Sequence, residues 1–373
     1  MIFQNMPDLS GNERKYVLDC IDTNWISSMG SYITRFEESF SALCGCRHGV
    51  ACANGTAALH LAFAALGIGF GDEVIVPDFT LIADSNMVIL AGAKPVFVDV
   101  DRETWCLDPE KIEAAITPRT KAILAVHMYG HPCDIDRLQA VADSHGLLLI
   151  EDAAQGHGTE YKGRQVGGFG RVGCFSFYAS KTLTTGEGGM VVTNDEEIAQ
   201  RLRLLRSHGF EGTGRQYVHR VLGFNYRLTN LQAAIGLAQT ECIAQKVARK
   251  REIAKQYSGL LRGLPGLLLP MEKDWAKSTY WNYTVVIEDG FPASREEVGA
   301  AFDAAKVQTR MPFNALHRQP VYVEGRDPRF PATGGDFPVS EWLSDRALCL
   351  PSGVGLTAAE VETVAGVLRK FSA

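Results

Sequence analysis

Three groups in the first half of this sequence could act together on one ligand: Lys181, Asp152 and the run Asn54-Gly55-Thr56. Lys181 follows the aromatic run Phe175 to Tyr178 and precedes a stretch of small residues. A lysine that forms and exchanges Schiff bases needs such a setting, tethered to rigid structure but able to swing aside, and its pKa falls readily on desolvation. Taken alone, Lys181 is more typical of a surface residue at a strand-to-loop corner, and only the other two groups favour the reactive role.

The other two groups could bind the remaining ends of that ligand. Asp152 follows the apolar run from Leu147 to Ile150, which places an acid where a buried strand would end. The run Asn54-Gly55-Thr56 would open a helix that is apolar on nearly every side. Unpaired N–H groups and the positive end of the dipole make such a helix start an anion site. An ordinary N-cap role for Asn54 is the alternative.

A lysine, an acid and an anion site together suit a phosphorylated aldehyde cofactor with a basic ring nitrogen. Lys181 would hold the aldehyde as an imine, and Asp152 would keep the ring nitrogen protonated. The helix start at Gly55 would bind the phosphate. The protonated ring could then absorb the electrons of a broken C–H bond. These residues therefore predict a site for pyridoxal 5′-phosphate (PLP).

Such a site requires a fold that brings the ends of several strands together. Short apolar runs alternate with helical stretches as far as Tyr178, which indicates an α/β domain whose mixed, mostly parallel sheet is covered by helices. Ligands of such sheets lie beyond the carboxyl ends of the strands. We therefore expect Asp152 and Lys181 to meet at one edge of the sheet.

The order of elements changes after a long amphipathic helix predicted from about Leu231 to Gly259. A strand over 280–287 and two later helices then predict a smaller α+β domain. At 373 residues the chain exceeds the size at which a single core stops growing. We place a large domain with an N-terminal arm over residues 1–245 and a small domain over residues 246–373.

Composition and charge argue against several other classes of protein. Apolar residues make up 46% and charged residues 21% of the chain, as in ordinary globular proteins. The net charge of −6 gives no general attraction to nucleic acid or anionic lipid. There is no basic and apolar leader or membrane-length apolar run, and the nine cysteines are scattered. We expect a cytoplasmic protein with no metal site and no nucleic-acid or membrane partner.

Familiar phosphate-binding and metal-binding patterns are missing or misplaced. No Gly-x-x-x-x-Gly-Lys-Ser/Thr sequence occurs, and the glycines at 167, 168 and 170 do not lie between a strand and a helix. His127 and His131 are separated by Gly130, which disfavours a helical pair of metal ligands.

Longer motifs occur in order along nearly the whole chain. They are Trp25-Ile26-Ser27-Ser28-x-Gly30, Asn54 to Leu61, Val126 to Asp134, Glu151-Asp152-Ala153-Ala154, Lys181 with Thr184 to Met190, and Gly223 to Asn230. In these motifs the chain resembles the DegT/DnrJ/EryC1/StrS family of nucleotide-sugar aminotransferases. The resemblance implies PLP-dependent transferase fold type I, as in aspartate aminotransferase. It is strongest to members that aminate C4 of GDP-4-keto-6-deoxymannose, with L-glutamate as donor and pyridoxamine phosphate as the intermediate form of the cofactor.

The resemblance also implies roles for individual residues. Lys181 would carry the cofactor and later move a proton to the sugar carbon, with Asp152 on the ring nitrogen. Further cofactor contacts would come from Gly55, Thr56, Leu81, Gln155, Ser176 and Asn225. Substrate contacts would come from Trp25, Ser27, Ser28, Arg310 and His317, and from Arg215 and Tyr217 on a closing loop. Asn225 would reach the neighbouring subunit, which predicts a homodimer with active sites at the subunit interface.

Three departures from the family pattern concern the pocket. Leu81 stands where an aromatic residue usually stacks on the cofactor, so stacking would be weaker or Phe79 would contribute. In the small-domain motif Pro312 is shifted by one position and Ala315 replaces a proline. The run Tyr178-Ala179-Ser180 replaces an aromatic-Gly-Asn sequence before the lysine.

Several alternatives remain open from the sequence. The 3-dehydratase branch of the family has histidine where Lys181 stands, and the run Thr184 to Gly189 looks more like the C4- than the C3-aminotransferase branch. A non-catalytic PLP-fold binding or regulatory protein would need an attached DNA-binding module or a lost lysine, and the sequence has neither. The nucleotide (GDP, UDP or dTDP), the sugar configuration and the pathway, whether O-antigen, capsule or antibiotic, stay open.

Overall fold

The computed structural model describes residues 1–211 and 218–372. The α-helices are α1 Glu13–Asp22, α2 Ser31–Leu43, α3 Gly55–Ala65, α4 Ala83–Leu90, α5 Pro109–Ile112, α6 Ile135–His145, α7 Glu196–Arg206, α8 Asn230–Glu241, α9 Ile243–Leu261, α10 Arg295–Ala304, α11 Pro320–Val323, α12 Pro338–Arg346 and α13 Ala358–Arg369. The strands are β1 His48–Cys52, β2 Glu73–Pro77, β3 Lys94–Val98, β4 Thr120–Val126, β5 Leu148–Asp152, β6 Glu160–Tyr161, β7 Arg164–Gln165, β8 Val172–Ser176, β9 Gly189–Thr193, β10 Leu267–Leu268, β11 Ala276–Lys277, β12 Tyr283–Ile287 and β13 Ala347–Leu350.

A seven-stranded sheet with the order β1-β9-β8-β5-β4-β2-β3 lies at the centre of the described chain. Strand β9 is antiparallel to both of its neighbours, and the strands from β8 to β3 are parallel. Every residue of β2, β8 and β9 is buried, because helices cover both faces of the sheet. The predicted mostly parallel, helix-covered sheet is therefore confirmed, with β9 as the strand that makes it mixed.

The strand register places the start of β9 between the ends of β1 and β8, at one edge of the central sheet. Gly189 pairs with Cys52 on one side and with Ser176 on the other. The chain leaving β1 towards α3 therefore lies beside the end of β8. A side chain at position 189 would collide with this chain, since a Cβ there would lie 2.3 Å from the carbonyl oxygen of Asn54. Glycine is required because two backbones approach each other here.

A long helix predicted for the C-terminal part of the chain is divided in the structure. The single helix expected over residues 231–259 is divided into α8 and α9 at Cys242, whose backbone (φ −108°, ψ 3°) is not helical. The apolar pattern continues across the junction, so the sequence did not reveal the break. The buried faces of both helices still follow that pattern.

Buried apolar side chains form two clusters within the described residues. The larger surrounds the central sheet, and the smaller gathers α9, α10 and α13 around β12 and β13. The N-terminal arm joins the smaller cluster through a parallel bridge between Ile2 and Val307. The predicted boundary at residue 245 falls inside α9, and the division into 1–245 and 246–373 stays a prediction. Across the described ranges, every helix is too short or too polar to cross a lipid bilayer.

Candidate active site

A cavity of about 420 Å³ opens where β1, β5 and β8 end. The residues predicted from sequence that line it are Gly55, Thr56, Leu81, Asp152, Gln155, Ser176, Lys181 and Arg310. The structure thus brings together the lysine, the acid and the helix start. A larger depression of about 980 Å³ lies elsewhere, beside Leu148 and Asp195, and its described lining includes none of these residues.

The remaining predicted residues that the structure describes lie away from the cavity lining. The loop carrying Trp25 to Ser28 is held by α8, since Asn230 donates from its side chain to the Trp25 carbonyl (2.7 Å) and from its backbone to the Ser27 carbonyl (2.6 Å). Trp25 is 53% exposed. Asn225 is also exposed, and its side-chain oxygen accepts from Arg227. The predictions for Arg215 and Tyr217 fall outside the described residues.

Both ring nitrogens of His317 lie within hydrogen-bond distance of a carboxylate. Its Nδ1 lies 2.7 Å from Asp78, directly after β2, and its Nε2 lies 3.1 Å from Glu341 on α12. The ring is buried and stacks on Phe337. His317 therefore ties the C-terminal part of the chain to the carboxyl edge of the central sheet, and the substrate contact expected from sequence stays a prediction.

The start of α3 forms an open cradle at the cavity. Asn54 caps the helix, because its side-chain oxygen accepts from the Ala57 N–H at 2.8 Å. For the N–H groups of Gly55 and Thr56, no acceptor is found in the described part of the chain. The two readings of Asn54 are thus compatible: it is an N-cap, and the helix it caps still offers free donors to an anion. The Ser176 hydroxyl lies on the same side of the cavity.

Gly55 packs so closely against Ser176 that a larger residue cannot be accommodated at the start of α3. A Cβ on residue 55 would lie 2.5 Å from the Cβ of Ser176, so one of the two backbones would have to shift. We expect Gly55→Ala to weaken cofactor binding about tenfold or more, as typical overpacking costs imply. Titrating cofactor-free protein with PLP by absorbance measures the effect.

Gly259→Ala is a matched control for the cradle, because a Cβ on this α9 residue would meet nothing within 4 Å. It is expected to bind the cofactor like the wild type and to be slightly more stable. Equal cofactor affinity in Gly55→Ala and Gly259→Ala would contradict the assignment of the cradle.

Lys181 has an environment suited to a reactive amine. Its Nζ lies 4.0 Å from the centre of the Trp281 ring. Burial lowers the pKa of Lys181 to about 8; the nearby Asp152 opposes this shift and the Arg310 guanidinium adds to it. With a pKa of about 8, roughly a tenth of the amine is neutral at pH 7, against less than one in a thousand for an ordinary lysine, and nucleophilic attack on a carbonyl requires the neutral form.

Asp152 and Gln155 are both fixed by backbone N–H groups. One oxygen of Asp152 accepts from the Ala154 N–H at 2.8 Å. The side-chain oxygen of Gln155 accepts from the Tyr129 N–H at 2.8 Å. Both side chains are buried yet line the cavity, so each presents a defined edge to a bound molecule.

Asp84 is a site residue that the sequence analysis missed. It lies in the first turn of α4, is fully buried, and accepts from the Thr80 hydroxyl at 2.6 Å. Its other oxygen has no donor among the described residues. Burial raises the pKa of Asp84 well above its usual value, and the neighbouring Asp152 raises it further. Two facing carboxyl groups disfavour each other's charge in such a place, so the surroundings of Asp84 favour its protonated form.

This buried acid makes a prediction for stability against pH. Because the folded pKa of Asp84 lies above the unfolded value of 3.8, folding takes up a proton, and stability falls as pH rises from about 4 towards the folded pKa. Asp84→Asn does not titrate. As pH rises through this range, the wild type should therefore lose stability relative to Asp84→Asn. The difference between their free energies of unfolding should change by roughly 1 kcal/mol for each pH unit. Urea unfolding of cofactor-free protein from pH 5 to 8 measures the difference, and parallel curves would exclude the assignment.

The glycine-rich segment before β8 binds a protein carboxylate. Glu151 is fully buried and accepts from the backbone N–H groups of Gly167 (2.7 Å), Phe169 (2.7 Å) and Gly170 (2.8 Å), while His127 lies 3.1 Å away. These contacts lower the pKa of Glu151 although burial opposes them. Glu151 is thus a structural anchor next to Asp152, and His127 is its partner.

The departures at the cavity wall are visible in the structure. Leu81 lines the cavity and is 44% exposed, whereas Phe79 is fully buried behind it. Phe79 packs edge-on against Phe313, with ring centres 6.3 Å apart, and Phe313 itself lines the cavity. Three aromatic side chains, Tyr178, Trp281 and Phe313, line the cavity, and Phe79 packs against Phe313 without reaching the cavity lining itself.

A lysine, an acid and an open helix start around one cavity of a mixed α/β sheet are the arrangement expected of an aminotransferase. The sequence profile of the DegT/DnrJ/EryC1/StrS aminotransferase family matches residues 7–369 of this chain. The GDP-perosamine synthases of Caulobacter vibrioides and Escherichia coli O157:H7 are 44% and 42% identical to this chain. These matches cover 97% and 98% of this chain, and 96% and 97% of the relatives.

Solved structures show the same relationship. S. venezuelae DesV, in complex with a ketimine intermediate, is 37% identical and superposes with a TM-score of 0.89 over 97% of this chain and 94% of its own. The chain belongs to the DegT/DnrJ/EryC1/StrS aminotransferase family and is an enzyme of that class. The fold predicted from the resemblance, that of the PLP-dependent aminotransferases, is confirmed.

Proposed function

We propose that this enzyme uses PLP to move an amino group from L-glutamate to C4 of GDP-4-keto-6-deoxymannose, giving GDP-perosamine. The observation that carries the proposal is the shared cavity of Lys181, Asp152 and the open start of α3. The named activity of relatives above 40% identity supports the choice of sugar and nucleotide. We also assign the reaction to the cytoplasm, where nucleotide sugars and glutamate are at hand.

The residues around the cavity fit PLP. The free N–H groups at the start of α3 and the Ser176 hydroxyl suit a phosphate, and the lack of a Cβ at Gly55 lets the helix start lie directly against Ser176. Asp152 would face the ring nitrogen, Gln155 the ring hydroxyl and Lys181 the aldehyde. When bound, the cofactor supplies a carbonyl that exchanges amines and a ring that accepts an electron pair.

The chain's own groups would do the remaining work. Lys181 Nζ, whose pKa is lowered to about 8, would exchange between neutral and charged forms and carry a proton to C4 of the sugar. Arg310 places a guanidinium at the cavity, where it would attract the carboxylate of the donor or the phosphates of the nucleotide sugar. Phe313 and Leu81 would shield the reacting atoms from water.

We assign the enzyme to a homodimer with shared active sites. Asn225 and the Trp25 to Ser28 loop are exposed or held at the surface, away from the cavity of their own subunit. The exposed apolar side chains near them include Ile26, Met29 and Leu222, which is 95% exposed. A second copy covering this face would bury them and bring Asn225 to the partner's cofactor phosphate.

The test is a panel of substrates. Purified protein is incubated with L-glutamate and, one at a time, GDP-, UDP- and dTDP-linked 4-keto-6-deoxy sugars. We expect 2-oxoglutarate and a 4-amino sugar to form in equal amounts, fastest with GDP-4-keto-6-deoxymannose. Conversion of a UDP- or dTDP-linked sugar alone would reject the assignment of substrate. No product from any of these sugars would reject the proposed function itself.

A further inference from the structure

Trp281 contacts the segment that carries Lys181 in two ways. Its indole N–H donates to the carbonyl oxygen of Ser180, the residue before the lysine, at 2.8 Å. The face of its ring lies 4.0 Å from Lys181 Nζ. One side chain therefore holds both the backbone next to the lysine and the amine at the end of its side chain.

Trp281 is itself held in place by groups that do not line the cavity. Its side chain is buried, and its carbonyl oxygen accepts from the Nζ of Lys250 at 3.0 Å. Lys250 also donates to the carbonyl oxygen of Ser352, so one ammonium group links the backbone at Trp281 to the backbone at Ser352. Asn5 adds a second donor to the Ser180 carbonyl at 2.9 Å. These contacts hold the indole in place beside Lys181.

An ammonium group over an indole face is attracted by the negative π surface, and the attraction is larger when water is excluded. Lys181 also faces other charged or titratable groups: Asp152 on β5, Asp84 on α4, Arg310 before α11, and His157 after β5. The carboxyl groups lie towards the proposed cofactor site. The indole offers the amine an uncharged place to stay that does not compete with a ligand for Asp152.

We propose that the ring of Trp281 is the docking surface for the Lys181 amine whenever that amine is not bonded to the cofactor. Trp281 is then a positioning residue for the reactive lysine. Its role within the reaction rests on the proposed function, but its hold on the free amine does not. The amine docks while the cofactor carries the amino group and returns when the product leaves.

The test measures Lys181 in cofactor-free protein. Pulse labelling with acetic anhydride at a series of pH values, read by peptide mass spectrometry, gives the pKa of this amine. Wild type is compared with Trp281→Phe, which keeps an aromatic face, and Trp281→Leu, which removes it; both lose the hydrogen bond to Ser180. We expect the pKa to fall by about one unit in Trp281→Leu and by less in Trp281→Phe.

Trp105→Phe is the matched control. Trp105 is buried in the same aromatic cluster, 6.2 Å from Tyr129 between ring centres. It is expected to leave the pKa of Lys181 unchanged. If Trp281→Leu does not fold, Trp281→Met fills more of the indole volume and takes its place. The same Lys181 pKa in the wild type and in a folded Leu or Met variant would overturn the proposal.

A second measurement separates this inference from the proposed function. Wild-type protein loaded with PLP is reduced with borohydride, and the peptide containing Lys181 is examined for attached cofactor. Attachment together with the pKa shift supports both proposals. A pKa shift without attachment would reject the proposed function and leave the docking surface standing. Attachment without a shift would reject only the docking surface.

Discussion

Lys181→Ala is expected to lower kcat for amino transfer by at least about 10²- to 10⁴-fold, the range that positioned proton transfer contributes to catalysis. The physical reason is that this side chain is the amine of the cavity with a lowered pKa, about 8, so it can be neutral when it attacks and charged when it gives up a proton. Initial rates of 2-oxoglutarate formation measure kcat. The variant should also lose the cofactor that borohydride fixes to the wild type.

Two further measurements make this result specific. Lys277→Ala removes an exposed lysine that pairs with Glu160 outside the cavity, and it should keep the wild-type rate. Adding a small primary amine should restore part of the activity of Lys181→Ala, because the missing base is then supplied from solution. A Lys181→Ala protein that turns over at the wild-type rate would exclude the lysine from the reaction.

Asp152→Asn should have the second-largest effect. A carboxylate opposite a protonated ring nitrogen forms a buried ion pair, and breaking such a pair costs about 3–5 kcal/mol. If that loss falls on the transition state, kcat drops by roughly 10²- to 5 × 10³-fold. Asparagine keeps the size of the side chain and can still accept from the Ala154 N–H, so the change is one of charge. Measured kcat and the absorbance of bound cofactor report the effect.

Asp84 provides an internal check on that prediction. Since Asp84 and Asp152 face each other, replacing both by asparagine should not give the sum of the two single effects, whereas distant sites would add. Asp136→Asn, at an exposed ion pair with Lys162, should be neutral for catalysis. An Asp152→Asn variant with an unchanged kcat and cofactor spectrum would show that the acid does not act on the ring.

The cavity residues that could be predicted from sequence are those that can be recognised from their neighbours in the chain. A lysine after a buried strand, an acid at a strand end and a glycine at the start of an apolar helix are each recognisable from neighbours in the chain. Their meeting follows from a general property of parallel sheets, whose carboxyl ends share one edge. Lys181, Asp152 and Gly55 could therefore be chosen before their geometry was known.

Asp84 and Trp281 could not be chosen in the same way. Asp84 lies in the first turn of an apolar helix, where an acid is ordinarily read as a favourable charge near the helix N-terminus. Trp281 precedes β12 and resembles any buried aromatic residue. Each becomes a site residue only because a distant segment, β5 or the loop before Lys181, is folded against it.

Local patterning and strand direction made the alternation of strands and helices predictable from the sequence, and they also pointed to Lys181, Asp152 and the start of α3, which the structure brings to one cavity. Only the folded structure shows which groups surround Lys181 and Asp152. The indole of Trp281 lies against the amine, Asp84 lies beside Asp152, and Glu151 accepts from the N–H groups of the glycine-rich segment next to them. The structure also shows that His317 is held between two carboxylates. These contacts join residues far apart in the chain, so only the packing of the folded molecule defines them.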